Sequence, residues 1–409
     1  MSTDVNPDRA AQPDANRPSA VSDGVADELV ATVARWVDAE VGPNASELEH
    51  ADTFPQAMID QMDAFGLFGA TIAPEYGGLG LSVTVYARII EELSRGWMTL
   101  SGVLNTHKIA ATMIGRFGTD DQKQRYLPRM VHGSFRAAFS LSEPDSGSDA
   151  GALRCRAVRD GDEWVVDGTK MWVTNGRRAS LVMLLARTGP DEISAFCVEK
   201  EPGPRWGGIT ASGDIAKLGY KGIETVEMSY AGHRVPHADL LGGEPGLGQG
   251  LRYALSALEL GRINIAARAV GVGQAALDRS LRYSHERETF GKAIVEHQAI
   301  AFKLAEMATK LQAARLLTYD AARRFDAGER IDLEAGMAKL FASEAAFEIA
   351  TDALRIHGGN GYTQEYDVER YFRDTPLMII GEGTSEIQKV VIARQLRARY
   401  AAHHGTGHR

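Results

Sequence analysis

The chain has 409 residues, 44% hydrophobic and 24% charged, a globular composition long enough for two or three domains. A net charge of −9 argues against nucleic acid as the main partner, because phosphate binding calls for a basic face. Two cysteines, Cys155 and Cys197, make no disulfide framework, and no apolar run reaches membrane-spanning length, so a soluble protein in a reducing cytoplasm is expected.

Residues 1–28 (MSTDVNPDRAAQPDANRPSAVSDGVADE) are polar, Pro-rich and acidic, unlike a signal or transit peptide, and residues 1–25 read as a disordered tail. From 26 to 133 apolar residues recur at spacings of three and four, as in Leu29, Val33 and Trp36 or Ile89, Ile90 and Leu93, which predicts a helical N-terminal domain. Between 134 and 242 the period changes to two. Strand-like runs on either side of Asp167-Gly168 predict a hairpin, and Leu181–Ala186, Ile193–Val198 and Val226–Tyr230 predict further strands of a central antiparallel β-domain. From 243 to 409 the helical period returns: Leu251, Leu255 and Leu258 share one face, and Ile300, Leu304, Met307 and Leu311 another. With further helices near 333–356 and 385–400, this predicts a C-terminal four-helix bundle and an α+β multidomain chain.

The stretch IIGEGTSEIQ (379–388) clamps one carboxylate, Glu382, between two glycines. Ser385-Glu386-Ile387-Gln388 has the form of a capping box, so a helix should begin there, with Glu382 on the loop before its N-terminus. The positive end of the helix dipole favours an anion there, whether a solvated loop carboxylate or a functional one. Gly271-Val272-Gly273-Gln274-Ala275-Ala276 has the outline of a dinucleotide fingerprint. Helical positions Ile263, Ala266, Ala267 and Val270 precede it where a strand should, so it reads as helix packing through small residues. The histidines are scattered, and no metal site is expected.

Three further stretches carry donors, carboxylates and aromatic residues: FSLSEPDSGSD (139–149), KMWVTNG (170–176) and HERETFG (285–291). Together, in this order and ending in GEGTSEIQ, they resemble the FAD-dependent acyl-CoA dehydrogenase family. The motifs are Ser142-Glu143-Pro144-Asp145-Ser146-Gly147-Ser148-Asp149, Lys170 to Gly176, Arg287-Glu288-Thr289-Phe290-Gly291 followed by His297-Gln298, Gly358-Gly359-Asn360-Gly361-Tyr362, and Glu382-Gly383-Thr384. The resemblance spans about residues 25–400.

The resemblance implies FAD held between the β-domain and the bundle, in a homotetramer (a dimer of dimers) whose neighbouring subunit reaches the adenosine end. It implies an acyl-CoA substrate and an electron-transferring flavoprotein as acceptor. By position, Phe139, Leu141, Ser142, Gly147, Ser148, Trp172, Val173, Thr174, Gly383, Thr384 and Glu386 match the flavin environment. Arg287, Thr289, Phe290, His297, Gln298, Arg355, Gly358 and Gly359 match the set reaching a partner's FAD, although Arg355 stands where Gln is commoner. Ser148, Glu259, Arg262, Glu382 and Arg394 match the acyl-CoA channel.

The family reaction removes the α-proton of a thioester to a carboxylate while the β-hydrogen leaves as hydride to the flavin, and Glu382 matches the base. Such a base must be desolvated enough to raise its pKa, and the developing enolate oxygen needs donors, here the Glu382 N–H and a flavin ribityl hydroxyl. Some members, including the isovaleryl-specific ones, carry the base on a helix immediately before the position of Arg262; here that residue is Gly261, and Glu259 is offset by two. Gly381 stands where many straight-chain enzymes carry Tyr, which suggests a branched, cyclic or otherwise bulky acyl group unless another side chain fills the gap. Alternatives are a flavin oxidase or monooxygenase on the same fold, a dehydrogenase of carrier-protein-bound acyl groups, and a catalytically silent binding relative.

Overall fold

The computed structural model describes residues 21–404. The tail expected over 1–25 lies outside the described residues as far as 20, and a helix already begins at Asp23.

Helix α1 (Asp23–Trp36) runs through a π-helical turn (Val37–Val41) into α2 (Gly42–His50), and α3 (Gln56–Ala64) follows. Helix α4 (Val83–Phe117) is capped by Ser82, whose side chain accepts from Val85 N, and Trp97 interrupts it with extended backbone (φ −158°, ψ 112°). Helix α5 (Asp120–Met130) starts in a complete capping box of Thr119 and Gln122. Val33, Val37, Ile59, Met62, Ile89, Ile90 and Leu93 are buried in one core that continues into the C-terminal helices.

The central region holds β1 (Ala137–Ser140), β2 (Arg156–Asp160), β3 (Glu163–Thr174), β4 (Leu181–Arg187), β5 (Ile193–Glu199), β6 (Arg205–Trp206), β7 (Ile209–Ala211) and β8 (Thr225–Pro236). They form one sheet in the order β1-β4-β2-β3-β8-β7-β6, with β5 also paired to β4. The sheet is antiparallel, including β4 with β5, except where β4 pairs in parallel with β1 and, through a single residue pair, with β2. A period of two fixes which side chains share a face but says nothing of strand direction, so this mixed pairing was not legible. Asp167-Gly168 is a second correction. The strand runs straight through it, and the β3–β8 register shifts between Val166 and Gly168, a β-bulge rather than a hairpin. Gly168 has φ +146°, and a Cβ there would lie 2.6 Å from Cys155 Cα. The hairpin comes earlier, at Gly161 (φ +62°), between β2 and β3.

The C-terminal region holds α6 (Gly250–Glu286), a short ribbon of β9 (Glu288–Thr289) and β10 (Lys292–Ala293), α7 (Gln298–Asp326), α8 (Asp332–His357), α9 (Val368–Ile380) and α10 (Ser385–His404). It therefore has a fifth helix, α9, beyond the bundle of four. Pro376 sits inside α9, and as a breaker it obscures the helical pattern of residues that the fold nevertheless holds helical. The G-x-G-x-x-A stretch is inside α6, where a Cβ on Gly271 would fall 2.2 Å from Glu91 O, so the glycine lets α4 and α6 approach. No described helix is long and apolar enough to cross a membrane.

Candidate active site

Glu382 lies in the turn from α9 to α10, with φ +54°, in the left-handed region that a non-glycine residue enters only when its surroundings fix it. Gly383 follows at φ +87°. Two side chains hold this turn. Lys339, fully buried on α8, donates from Nζ to Ile379 O (3.1 Å) and Gly383 O (2.8 Å). Gln388 donates from Nε2 to Glu382 O (3.2 Å) and Gly383 O (3.0 Å). The capping expectation is thereby corrected. Thr384, not Ser385, caps α10, its Oγ1 accepting from Ile387 N (3.3 Å), while Ser385 Oγ donates to Glu344 (2.6 Å) and Gln388 turns to the base loop.

The Glu382 carboxylate turns inward. Oε1 accepts from Asn105 Nδ2 on α4, and Oε2 is shut off from solvent with no partner. It lies over Gly261 of α6, where a Cβ would fall 1.9 Å from Oε2. The glycine is thus the space that the carboxylate fills. Burial pushes the carboxyl above the usual range, and Arg268, the Asn105 hydrogen bond, Lys339 and Arg262 oppose the shift. Among the described residues, the Glu382 backbone N–H has no acceptor. The site therefore offers a desolvated carboxylate with one free oxygen and a free N–H on the same residue, a pairing suited to taking a proton from a weak carbon acid.

Of the channel candidates, Arg262 is buried with Nε unpartnered, and it lies within electrostatic reach of Glu382, Glu259, Asp332 and Arg394. Burial, together with neighbouring Asp332, pushes Glu259 above the usual carboxyl range. Arg394 is exposed, as is Ser148 on the β-domain loop. A Cβ at Gly381 would meet only the last turn of its own helix, Leu377 O at 3.1 Å and Leu377 Cδ1 at 3.9 Å.

At the rim of the β-domain, Trp172 has φ +62° in an irregular part of β3, and its ring is 58% exposed. Phe139, Leu141, Ser142 and Thr174 are half-buried nearby in sequence or across the sheet, while the Val173 side chain is buried in the sheet core and leaves only its backbone for a ligand. Met171 N donates to Ser142 O (2.8 Å), tying the 139–149 loop to β3. Glu143 is structural: it accepts from Lys170 Nζ (2.8 Å), Arg154 N (2.6 Å) and Cys155 N (2.9 Å). Gly147 and Glu386 are exposed, while Gly383 and Thr384 are half-buried in the base loop.

A separate group sits at the far ends of α6 and α8. Arg287 and Gln298 are exposed, Thr289 Oγ1 meets His297 Nε2 (3.1 Å), and Phe290 is 98% exposed. Tyr283 stacks on His357 at 4.2 Å, and Asn360 donates to its hydroxyl (3.0 Å), which brings exposed Gly358 and Gly359 alongside. Arg355 is exposed and paired with Asp352 (3.2 Å). Among the described residues, one cluster has metal-ligand proximity, Glu49, His50 and Glu369. Arg373 already spans it, donating to Glu49 (2.8 Å) and Glu369 (2.6 Å).

Asn105, Lys339, Gln388 and Arg268 escaped the sequence reading. Asn105 and Lys339 sit inside helices whose apolar pattern gave no sign that one polar position meets a loop far along the chain. Gln388 carries the local signature of a capping residue, which masks its contact with the Glu382 turn.

The chain matches three family models: acyl-CoA dehydrogenase N-terminal domain over residues 25–134, middle domain over 138–232 and C-terminal domain over 248–397. It is 42% identical to the (2S)-methylsuccinyl-CoA dehydrogenase of Cereibacter sphaeroides over 88% of this chain and 68% of that one. It is 40% identical to the acryloyl-CoA reductase (NADH) of Anaerotignum propionicum over 91% of this chain and 94% of that one. The butyryl-CoA dehydrogenase structure from Megasphaera elsdenii superposes with a TM-score of 0.87 at 32% identity, covering 93% of this chain and 100% of that one.

Proposed function

The chain belongs to the acyl-CoA dehydrogenase family, and from that premise we propose that it oxidises the Cα–Cβ bond of an acyl-CoA thioester, with Glu382 as the base. The observation that carries this reading is the Glu382 carboxylate itself, lodged over Gly261 with Oε2 buried and free and its pKa raised. A proton moves from the thioester α-carbon to Oε2. A base with a raised pKa matches such a weak carbon acid better than a solvated carboxylate does. The unpaired Glu382 N–H is available to the thioester oxygen as negative charge develops there. Asn105 keeps the carboxylate oriented, and Lys339 and Gln388 keep its backbone in the left-handed turn.

FAD is the cofactor of this family, and the β-domain rim fits a flat aromatic ring. The exposed indole of Trp172 lacks cover, and the Ser142 and Thr174 hydroxyls lie close by in the fold. When bound, FAD supplies the acceptor for the β-hydrogen, which leaves as hydride. In this reading Arg287, with its fork of donors, suits pyrophosphate, and electrons pass on to an electron-transferring flavoprotein. The exposure of Phe290 (98%) and Tyr362 (86%) supports assembly with further copies, as a homotetramer.

The test is an anaerobic visible spectrum of the flavin-loaded protein titrated with short, branched, medium and aromatic acyl-CoAs. Bleaching by one class supports the dehydrogenase and names its acyl group. A bound flavin that no thioester bleaches would overturn it in favour of an oxidase or a carrier-protein-linked enzyme.

A further inference from the structure

Arg268 follows Gly261 by two turns on the same face of α6, deeper along the helix than the base. Its side chain is 2% exposed. Nε donates to Asn264 Oδ1 (2.7 Å), Nη2 to Ser101 O (3.2 Å), and Nη1 reaches the Tyr220 hydroxyl at 3.5 Å. Among the described residues these partners are all neutral, and no carboxylate pairs with the guanidinium. Part of its five-donor fork remains unused.

A buried cation without an anion is costly, and removing it from water is repaid only by a well-placed opposite charge. The acid that feels it most is Glu382, for which Arg268 is the largest influence drawing the pKa down. Tyr86 and Tyr220 each feel both Arg268 and Glu382, so the four groups lie within electrostatic reach of one another in the interior. Asn264 Nδ2 donates to the Tyr86 hydroxyl (3.0 Å), and Lys108, also buried and with its pKa lowered to about 7 by that burial, sets Nζ 4.8 Å from the Tyr86 ring centroid. The guanidinium, the Asn264 amide and the two tyrosine hydroxyls make surroundings rich in donors, unsuited to the end of an alkyl chain.

We propose that Arg268 receives the distal carboxylate of the substrate, which is a CoA thioester of a short dicarboxylic acid. This rests on the dehydrogenase reading above, with Glu382 at the α-carbon. The length follows from the helix. A helical side chain leans toward the N-terminus, and the bond to Asn264 places the guanidinium about one turn, roughly 5 Å, beyond the level of Gly261. That gap corresponds to roughly two to four carbon–carbon bonds between the α-carbon and the carboxylate, a main chain of roughly four to six carbons.

Matched pairs of thioesters test this on the FAD-loaded enzyme: pentanoyl-CoA with glutaryl-CoA, and 2-methylbutanoyl-CoA with 2-methylsuccinyl-CoA. The readout is anaerobic flavin reduction at several concentrations. In at least one pair kcat/KM should favour the carboxylate by about 100-fold or more, the scale of leaving a buried charge unpaired with the wrong substrate. R268M should bring that ratio close to one by raising KM for the carboxylate member. The wild-type comparison decides alone if R268M does not fold. Preference for the uncharged member of both pairs would overturn the proposal while leaving the dehydrogenase intact. A ratio unchanged in R268M, with the acid limb of the pH profile displaced instead, would also overturn it and make Arg268 a counter-ion of the base. Failure of every thioester to bleach the flavin would sink the dehydrogenase reading and this inference with it.

Discussion

Replacing Gly261 by Ala puts a methyl group where the base now sits. The added Cβ would fall 1.9 Å from Glu382 Oε2, against 3.4 Å for ordinary contact, so the carboxylate must retreat by about 1.5 Å. It has little freedom to do so gently, because Asn105 holds Oε1 and Lys339 and Gln388 hold the backbone on both sides. A misplacement of about 1 Å at a reacting group costs on the order of 100-fold. G261A should therefore lower the limiting rate of flavin reduction by about 100-fold or more. Stability should respond differently, because Ala in a helix interior gains about 0.5–1 kcal/mol over Gly, which offsets part of the steric cost. Stopped-flow reduction at saturating thioester, beside flavin content and Tm, separates the two effects. A G261A enzyme within about fivefold of the wild-type rate would refute the placement of Glu382 over this glycine.

The raised Glu382 pKa has two consequences with opposite senses. Proton abstraction needs the carboxylate, so kcat/KM should fall on the acid side with a midpoint above the ordinary 4.5, measured as a pH–rate profile. Stability runs the other way: a carboxyl whose folded pKa exceeds its unfolded value contributes below that unfolded value and loses the contribution as pH rises through the folded one, so E382Q should melt higher than wild type at neutral pH. K339M removes the donor to Ile379 O and Gly383 O and should cost about 2 kcal/mol in denaturant unfolding together with a lower kcat, whereas a purely structural role would leave kcat alone. G168A forces a side chain into φ +146° and toward Cys155 Cα at 2.6 Å, and should cost about 2–3 kcal/mol in thermal unfolding without altering the pH profile.

Local periodicity revealed the three-region order, because long stretches with one period leave little choice of element. It misjudged places where the backbone serves tertiary contact. Asp167-Gly168 has the chemistry of a turn, yet its glycine is spent on a close approach to Cys155 inside a continuous strand. Pro376 normally ends a helix, yet α9 runs through it. The Gly271 motif was legible because a helical pattern preceded it, and the structure explains the glycine by the nearness of Glu91 O. At the site, Glu382 stood out through its glycine neighbours and the family motif. Its environment did not: Asn105 lies 277 positions away along the chain, and Arg268 is one of several charged residues along α6, with nothing local to single it out. Which buried polar group meets which loop depends on packing between helices, and no local pattern encodes that.

If Glu382 takes the α-proton, removing its ability to accept one must all but stop flavin reduction. The direct measurement is the anaerobic rate of flavin reduction in the E382Q holoenzyme, using the thioester that bleaches the wild type fastest. Gln keeps the size and the contact with Asn105 but cannot accept the proton. E382Q should keep normal flavin content and near-normal thioester affinity, with reduction slowed by about 1,000-fold or more, within the range for loss of a general base. Reduction within about tenfold of wild type would contradict it, and would require the base to be some other group.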